Sequence, residues 1–121
     1  MAKKDTLGGT ITTKVFYESD LDEVEAVQLS ATTLYSVAIT NAASSDTPYL
    51  KFFDTAGSVT LGTTAPALAF GVQANYANCM VTFDTAGLAF ANGLQMACTT
   101  DAGTAGSTAP SDAVTVVLTF S

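Results

Sequence analysis

The sequence predicts an all-β chain, an antiparallel β-sandwich or jelly-roll-like fold of about eight or nine strands. Three observations lead there. First, Phe53-Asp54-Thr55-Ala56-Gly57 recurs as Phe83-Asp84-Thr85-Ala86-Gly87, and runs of alternating apolar and polar residues flank each copy. Second, turn signals separate the apolar runs at intervals of roughly 8–15 residues, a spacing typical of sandwiches and barrels. Third, Gly and Pro fall between the runs, and no stretch of ten residues carries a convincing helical period. In each Asp-Thr-Ala-Gly copy the Asp can bond back to its own backbone and the Gly can adopt φ > 0. Both copies are therefore expected to close short hairpins.

Residues 1–12, with Gly8-Gly9, read as a flexible N-terminal arm, and residues 13–121 as a single β-sandwich domain. Residues 13–17 suggest a first short strand. An acidic loop follows, with Glu18, Asp20, Asp22, Glu23 and Glu25 inside eight positions. Residues 24–29 carry two signals. Asp20 and Glu23 imitate a helix capping box, yet Val27, Leu29 and Ala31 alternate with polar neighbours, and the segment is short for a helix that must bury a stripe. Strand is favoured.

In residues 33–40, Tyr35, Val37 and Ile39 are expected on one face, with Leu34 and Ala38 on the other. Residues 49–53 alternate again, Leu50 and Phe52 opposing Tyr49, Lys51 and Phe53. A weaker strand is expected over 58–61, a loop over 62–66 and a further apolar run over 67–72. Residues 78–83 lead to the second Asp-Thr-Ala-Gly turn and then to 88–90. Asn92-Gly93 is a strong hairpin signal ahead of 94–99. Between Asp101 and Asp112 the chain is Gly, Thr, Ala and Ser with one Pro, and 101–112 predicts a mobile surface loop unless a partner holds it. The β-branched run 113–120 closes the fold.

Composition narrows the function. The chain has 121 residues, four Lys and no Arg, eleven acidic residues, no His and no Trp, and a net charge of −7. That balance speaks against nucleic acid and anionic membranes as partners, since both select Lys and Arg. No apolar run approaches the ~20 residues of a bilayer span. No apolar stretch follows Lys3-Lys4, so no secretory signal is expected, and synthesis in a reducing cytoplasm would leave Cys79 and Cys98 as free thiols. A disulfide between them remains the alternative. Charged residues make up only 12% of the chain, so a working state with part of the surface covered is expected, as in an assembly subunit.

Without His, the commonest general base and metal ligand are missing, and no enzyme is expected. Catalytic, cofactor and metal sites are all read as none. Asp20, Asp22 and Glu25 offer oxygens to Ca²⁺, but the spacing lacks the glycine and distal glutamate of a calcium loop. A solvated acidic loop that docks on a basic patch is favoured. The candidate interface residues are Lys3 and Lys4 in the arm and Asp20, Asp22 and Glu23 in the loop. The Phe residues are read as core, and the four Tyr as core or interface.

Three stretches carry a resemblance. They are 34–41 (Leu34-Tyr35-Ser36-Val37-Ala38-Ile39-Thr40-Asn41), 49–54 (Tyr49-Leu50-Lys51-Phe52-Phe53-Asp54) with 60–66, and 87–94 running through the Thr/Gly-rich loop to the last strand. Over residues 33–120 the chain resembles small β-sandwich structural proteins of tailed bacteriophages, several of which are capsid decoration (cement) proteins. The resemblance implies a virion protein, made in the host cytoplasm and located on the outer capsid surface. It implies as partners the major capsid protein and copies of itself, commonly as a trimer, with no cofactor. A tail, baseplate or fibre module and a carbohydrate- or Ca²⁺-binding attachment sandwich are the alternatives.

Overall fold

Alternating β-branched, aromatic and small polar residues build nearly all of the regular structure in a computed structural model that describes residues 3–4, 10–11, 13–42, 47–112 and 114–121. The strands are β1 Lys3–Lys4, β2 Thr10–Ile11, β3 Lys14–Glu18, β4 Glu25–Gln28, β5 Thr32–Asn41 and β6 Tyr49–Phe53. They continue with β7 Leu68–Gly71, β8 Tyr76–Thr82, β9 Leu88–Phe90, β10 Leu94–Thr99 and β11 Val114–Phe120. The backbones of β1 and β2 pair with each other. The remainder of the expected arm, residues 1–2, 5–9 and 12, lies outside the described residues.

The other nine strands form two antiparallel sheets, so the chain is an all-β sandwich. One sheet runs β4-β10-β6-β7. The other runs β3-β11-β5-β8, with β9 beside β5 at the end of β8. A single apolar core lies between them. Val37 and Ile39 of β5 and Val116 and Leu118 of β11 meet Leu50 and Phe52 of β6 and Leu94 and Met96 of β10, all fully buried. Phe52 lies against Phe70 and Phe90, at ring-centroid distances of 6.1 and 6.3 Å. Burying each such side chain contributes roughly 1.5–3 kcal/mol, so this interior is the main source of stability.

Strict alternation fails in β5. Thr32, Leu34, Val37, Ile39 and Asn41 are the buried positions, and Tyr35 is only half-buried. The register explains this: Phe120 pairs with Leu34 while Thr119 pairs with Ser36, which leaves Tyr35 as an extra residue. The resulting β-bulge reverses the parity of the strand. Tyr35 and Val37 therefore do not share a face as expected. A second irregularity lies where β8 meets β5. Cys79 pairs with Ile39 but Tyr76 with Asn41, and Asn78 sits at φ 53°.

The repeated pentapeptide serves two different purposes. At Asp84, the carboxylate accepts from Ala86 N (3.0 Å) and Gly87 N (3.1 Å), the Asp84 carbonyl accepts from Gly87 N (2.9 Å), and Gly87 has φ 75°. That is the expected turn, but it closes no hairpin: β8 and β9 both pair with β5 and run along it in the same direction, so the turn joins two stretches of one edge. The first copy closes no hairpin either. Asp54 instead turns to the entry of the neighbouring strand β10 and accepts from Asn92 N (2.9 Å), Ala91 N (3.3 Å) and Gly93 N (3.4 Å). Nor is Asn92-Gly93 a hairpin turn, because β9 and β10 belong to different sheets. The chain crosses between layers there, and Asp54 holds the corner. These hydrogen bonds, led by that from Asn92, keep the Asp54 carboxyl below its ordinary range. The expected strand over 58–61 is instead a turn, with Thr63 N and Thr64 N donating to the Thr60 carbonyl at 3.1 and 2.9 Å.

The two glycines of the repeat should differ accordingly. A Cβ on Gly87 would lie 2.5 Å from Thr33 Cγ2 and 2.9 Å from Tyr35 Cδ1, whereas one on Gly57 would meet only Thr55 Oγ1, at 3.5 Å. Gly87→Ala is expected to cost about 1–3 kcal/mol in urea unfolding, and Gly57→Ala less than about 0.5 kcal/mol.

Candidate functional site

The two sheets treat their outer faces differently. On the β4-β10-β6-β7 sheet, every residue of β10 is buried, including Gln95 and Thr99. Two long connections, 54–67 and 100–112, account for this by folding over that face. Gln95 Nε2 donates to the carbonyls of Thr55 (2.9 Å) and Gly57 (2.7 Å). Lys51, 1% exposed, donates from Nζ to the carbonyls of Gly103 (2.7 Å) and Gly106 (3.1 Å). The connections also approach each other: a Cβ on Gly62 would lie 3.5 Å from Ser107 Cβ. The Thr/Gly-rich segment expected to be mobile is thus ordered by the chain itself. Thr100 N donates to Thr108 O and Gly106 N to Gly103 O. A buried ammonium keeps its charge tolerable only with such acceptors, and here backbone carbonyls provide them.

Among the described residues, nothing covers the outer face of the β3-β11-β5-β8 sheet in this way. Tyr17, Val117, Ala38 and Met80 stand side by side across all four strands in register. Val15 is 67% exposed, Tyr17 64% and Met80 62%. The four strands contain only two charged residues, Lys14 and Glu18. Both share the parity of Phe16, which packs on the core. Lys14 Nζ accordingly reaches the other sheet, donating to Gln28 Oε1 at 2.9 Å. The outward face is therefore uncharged. Of its residues only Tyr17 was considered for an interface from the sequence, as one of four Tyr read as core or interface. The absence of charge in β5, β8 and β11 was a usable signal, but only the strand order shows that these runs adjoin.

Asp20, Asp22 and Glu23 lie exposed together in the β3–β4 connection. Leu21, fully buried among them, anchors the loop, and its N–H donates to the Val114 carbonyl at 3.0 Å. Asp20 N donates to Glu18 Oε1 at 3.1 Å. Lys3 and Lys4 have their backbone in β1, and their side chains lie outside the described residues. Nothing described brings them to the acidic loop. No group of three His, Cys, Asp or Glu side chains among the described residues is placed to hold a metal ion.

Both cysteines are free: Cys79 half-buried on β8, Cys98 buried on β10 of the opposite sheet. Burial pushes the Cys98 thiol up to about 12, against a smaller opposing pull from Lys51. Such a thiol is a core apolar group, not a nucleophile. No helix of the described chain is long and apolar enough to cross a membrane. No protein-family model, curated protein or solved structure matches the sequence or the fold.

Two outcomes follow from these charged groups. Lys51→Met should leave the sandwich intact yet speed amide exchange at Thr100 and Gly106 by about tenfold, the loss of about 1.4 kcal/mol of local protection. Glu25 is held above the ordinary carboxylate range, first by burial, then by the charges of Glu18 and Glu23 and a hydrogen bond with Glu18. Its folded form binds the proton more tightly than its unfolded form. Stability from this residue is therefore full at low pH and lost as pH rises through the carboxylate range. Glu25→Gln should melt close to wild type near pH 4 and above it at pH 7.

Proposed function

We propose that this chain is a structural subunit of a tailed-phage virion, a capsid decoration protein that binds outside the shell and bridges neighbouring capsomers. The observation that carries this reading is the uncharged outer face of the β3-β11-β5-β8 sheet, wide, partly apolar and uncovered. Soluble monomers seldom leave such a face open. The opposite layer is sealed by the chain's own loops, which makes the subunit a stiff plate suited to covering a surface. The resemblance over residues 33–120 points to the same class of protein, and the absence of His agrees with work by adhesion.

In this mechanism the subunit meets the major capsid protein and copies of itself. Many modest contacts, multiplied over a lattice, hold the shell against internal pressure by avidity. The exposed acids Asp20, Asp22 and Glu23 project from an anchored loop and meet basic residues of the shell. A rim contact of this kind steers docking and weakens with salt.

The test is to add purified protein to shells of its own particle that lack it, then measure copies bound and rupture temperature. Saturable binding over the whole shell with a higher rupture temperature is the expected result. Binding confined to one vertex would make it a tail module, and no binding would end the reading. Asp20→Asn, Asp22→Asn and Glu23→Gln together should weaken attachment about tenfold at low salt and flatten its salt dependence. Wild-type attachment by that triple variant would remove the loop from the contact.

A further inference from the structure

We infer that the uncharged outer face of the β3-β11-β5-β8 sheet is the surface through which two copies of this chain pair, face to face. The inference rests on the reading of the chain as an assembling subunit and says which surface assembles. The argument for a second copy is electrostatic. The chain carries a net charge of −7, so like copies repel unless they approach through a surface free of acids. Within β3, β5, β8 and β11 the only acid is Glu18, on the inward parity. Asp20, Asp22 and Glu23 lie in the β3–β4 connection, Glu25 on β4 of the other sheet, and Asp54 and Asp101 in the connections over that sheet. Asp84 belongs to the β8–β9 turn and Asp112 to the segment before β11, and the two remaining acids, Asp5 and Asp46, lie outside the described residues.

The composition of the face suits the same occupant. Tyr17, Val117, Ala38 and Met80 form an apolar row, with the hydroxyls of Thr119 and Ser36 in the neighbouring row of β11 and β5 bonded to each other. Two such faces can stack as sheets do in a sandwich, rows crossing at an angle set by the twist. The contact is isologous, the same patch on both subunits, so it closes at two copies.

Area sets the strength. Four strands at about 4.8 Å spacing, about five residues deep at about 3.4 Å each, present a plane of about 300 Å². A standard interface takes about 800 Å² per partner. Pairing through this face alone is therefore weak, appearing at about 0.1–1 mM in solution, and becomes effective where copies are crowded together.

The test needs no shell. Sedimentation velocity of the purified chain from 10 μM to 1 mM should show a monomer–dimer equilibrium that raised salt leaves unchanged or strengthens. Met80→Glu and Tyr17→Glu should each shift the midpoint at least tenfold higher. Their melting temperature should match wild type, because both side chains are already mostly exposed; if one melts lower, Met80→Lys replaces it. A chain monomeric at 1 mM overturns the inference, as does a three-copy species or a dimer that Met80→Glu leaves unchanged. If wild type stays monomeric while Met80→Glu loses shell binding, the face belongs to the shell protein instead. In that case the pairing fails and the decoration role stands.

Discussion

Lys51 and Gln95, two long polar side chains buried on the outside of one sheet, are the constraint around which this molecule is arranged. Each stands where the strand pattern would place a solvated residue. Each is instead roofed by a connection whose carbonyls it satisfies, Gly103 and Gly106 for Lys51, Thr55 and Gly57 for Gln95. Without those donors the Gly- and Thr-rich connections would have few large side chains to hold them down, and burying the donors without acceptors would be costly. Roof and strand depend on each other. All of β10 is consequently interior, and among the described residues the opposite sheet is left as a broad face with strand side chains in water.

Asp54 supplies the second fixed point. Its carboxylate gathers three backbone N–H groups where the chain leaves β9 in one layer and enters β10 in the other. Ala91 and Asn92 are exposed at this corner and Gly93 is buried, and the carboxylate gives all three N–H groups an acceptor where the chain changes layer. An anion with several acceptor positions suits the geometry, and the bonds in turn favour its charged form. The same connection that begins with Asp54 continues into the roof over Gln95, so corner and roof belong to one structural unit.

Much of this was legible in the residues. Alternation located β5, β6, β10 and β11, and Leu50, Phe52, Val116 and Leu118 are buried as a period of two requires. What local pattern could not supply was pairing. Tyr35 looks like any other strand residue until Thr119 and Phe120 are placed opposite it. Asp54 and Asp84 sit in identical pentapeptides, yet the partners of one lie 37 to 39 residues away and those of the other lie within its own turn. Lys51 was placed with Tyr49 and Phe53 opposite Leu50 and Phe52, and nothing nearby in sequence announces that residues 103 and 106 will cover it. In the acidic stretch Leu21 and Val24 are the two apolar residues, and only Leu21 is fully buried as an anchor.

The irregular edge at β8 has a consequence for crowding. This strand is an outer member of its sheet, lacks any charged residue, and would by itself invite a neighbouring chain to extend the ladder. Asn78 in its left-handed conformation interrupts the run of backbone donors and acceptors and bends the margin away from a flat template. Molecules packed shoulder to shoulder thus meet at a border that ends the hydrogen-bonded lattice, and fibrous growth from that side is discouraged by backbone shape alone.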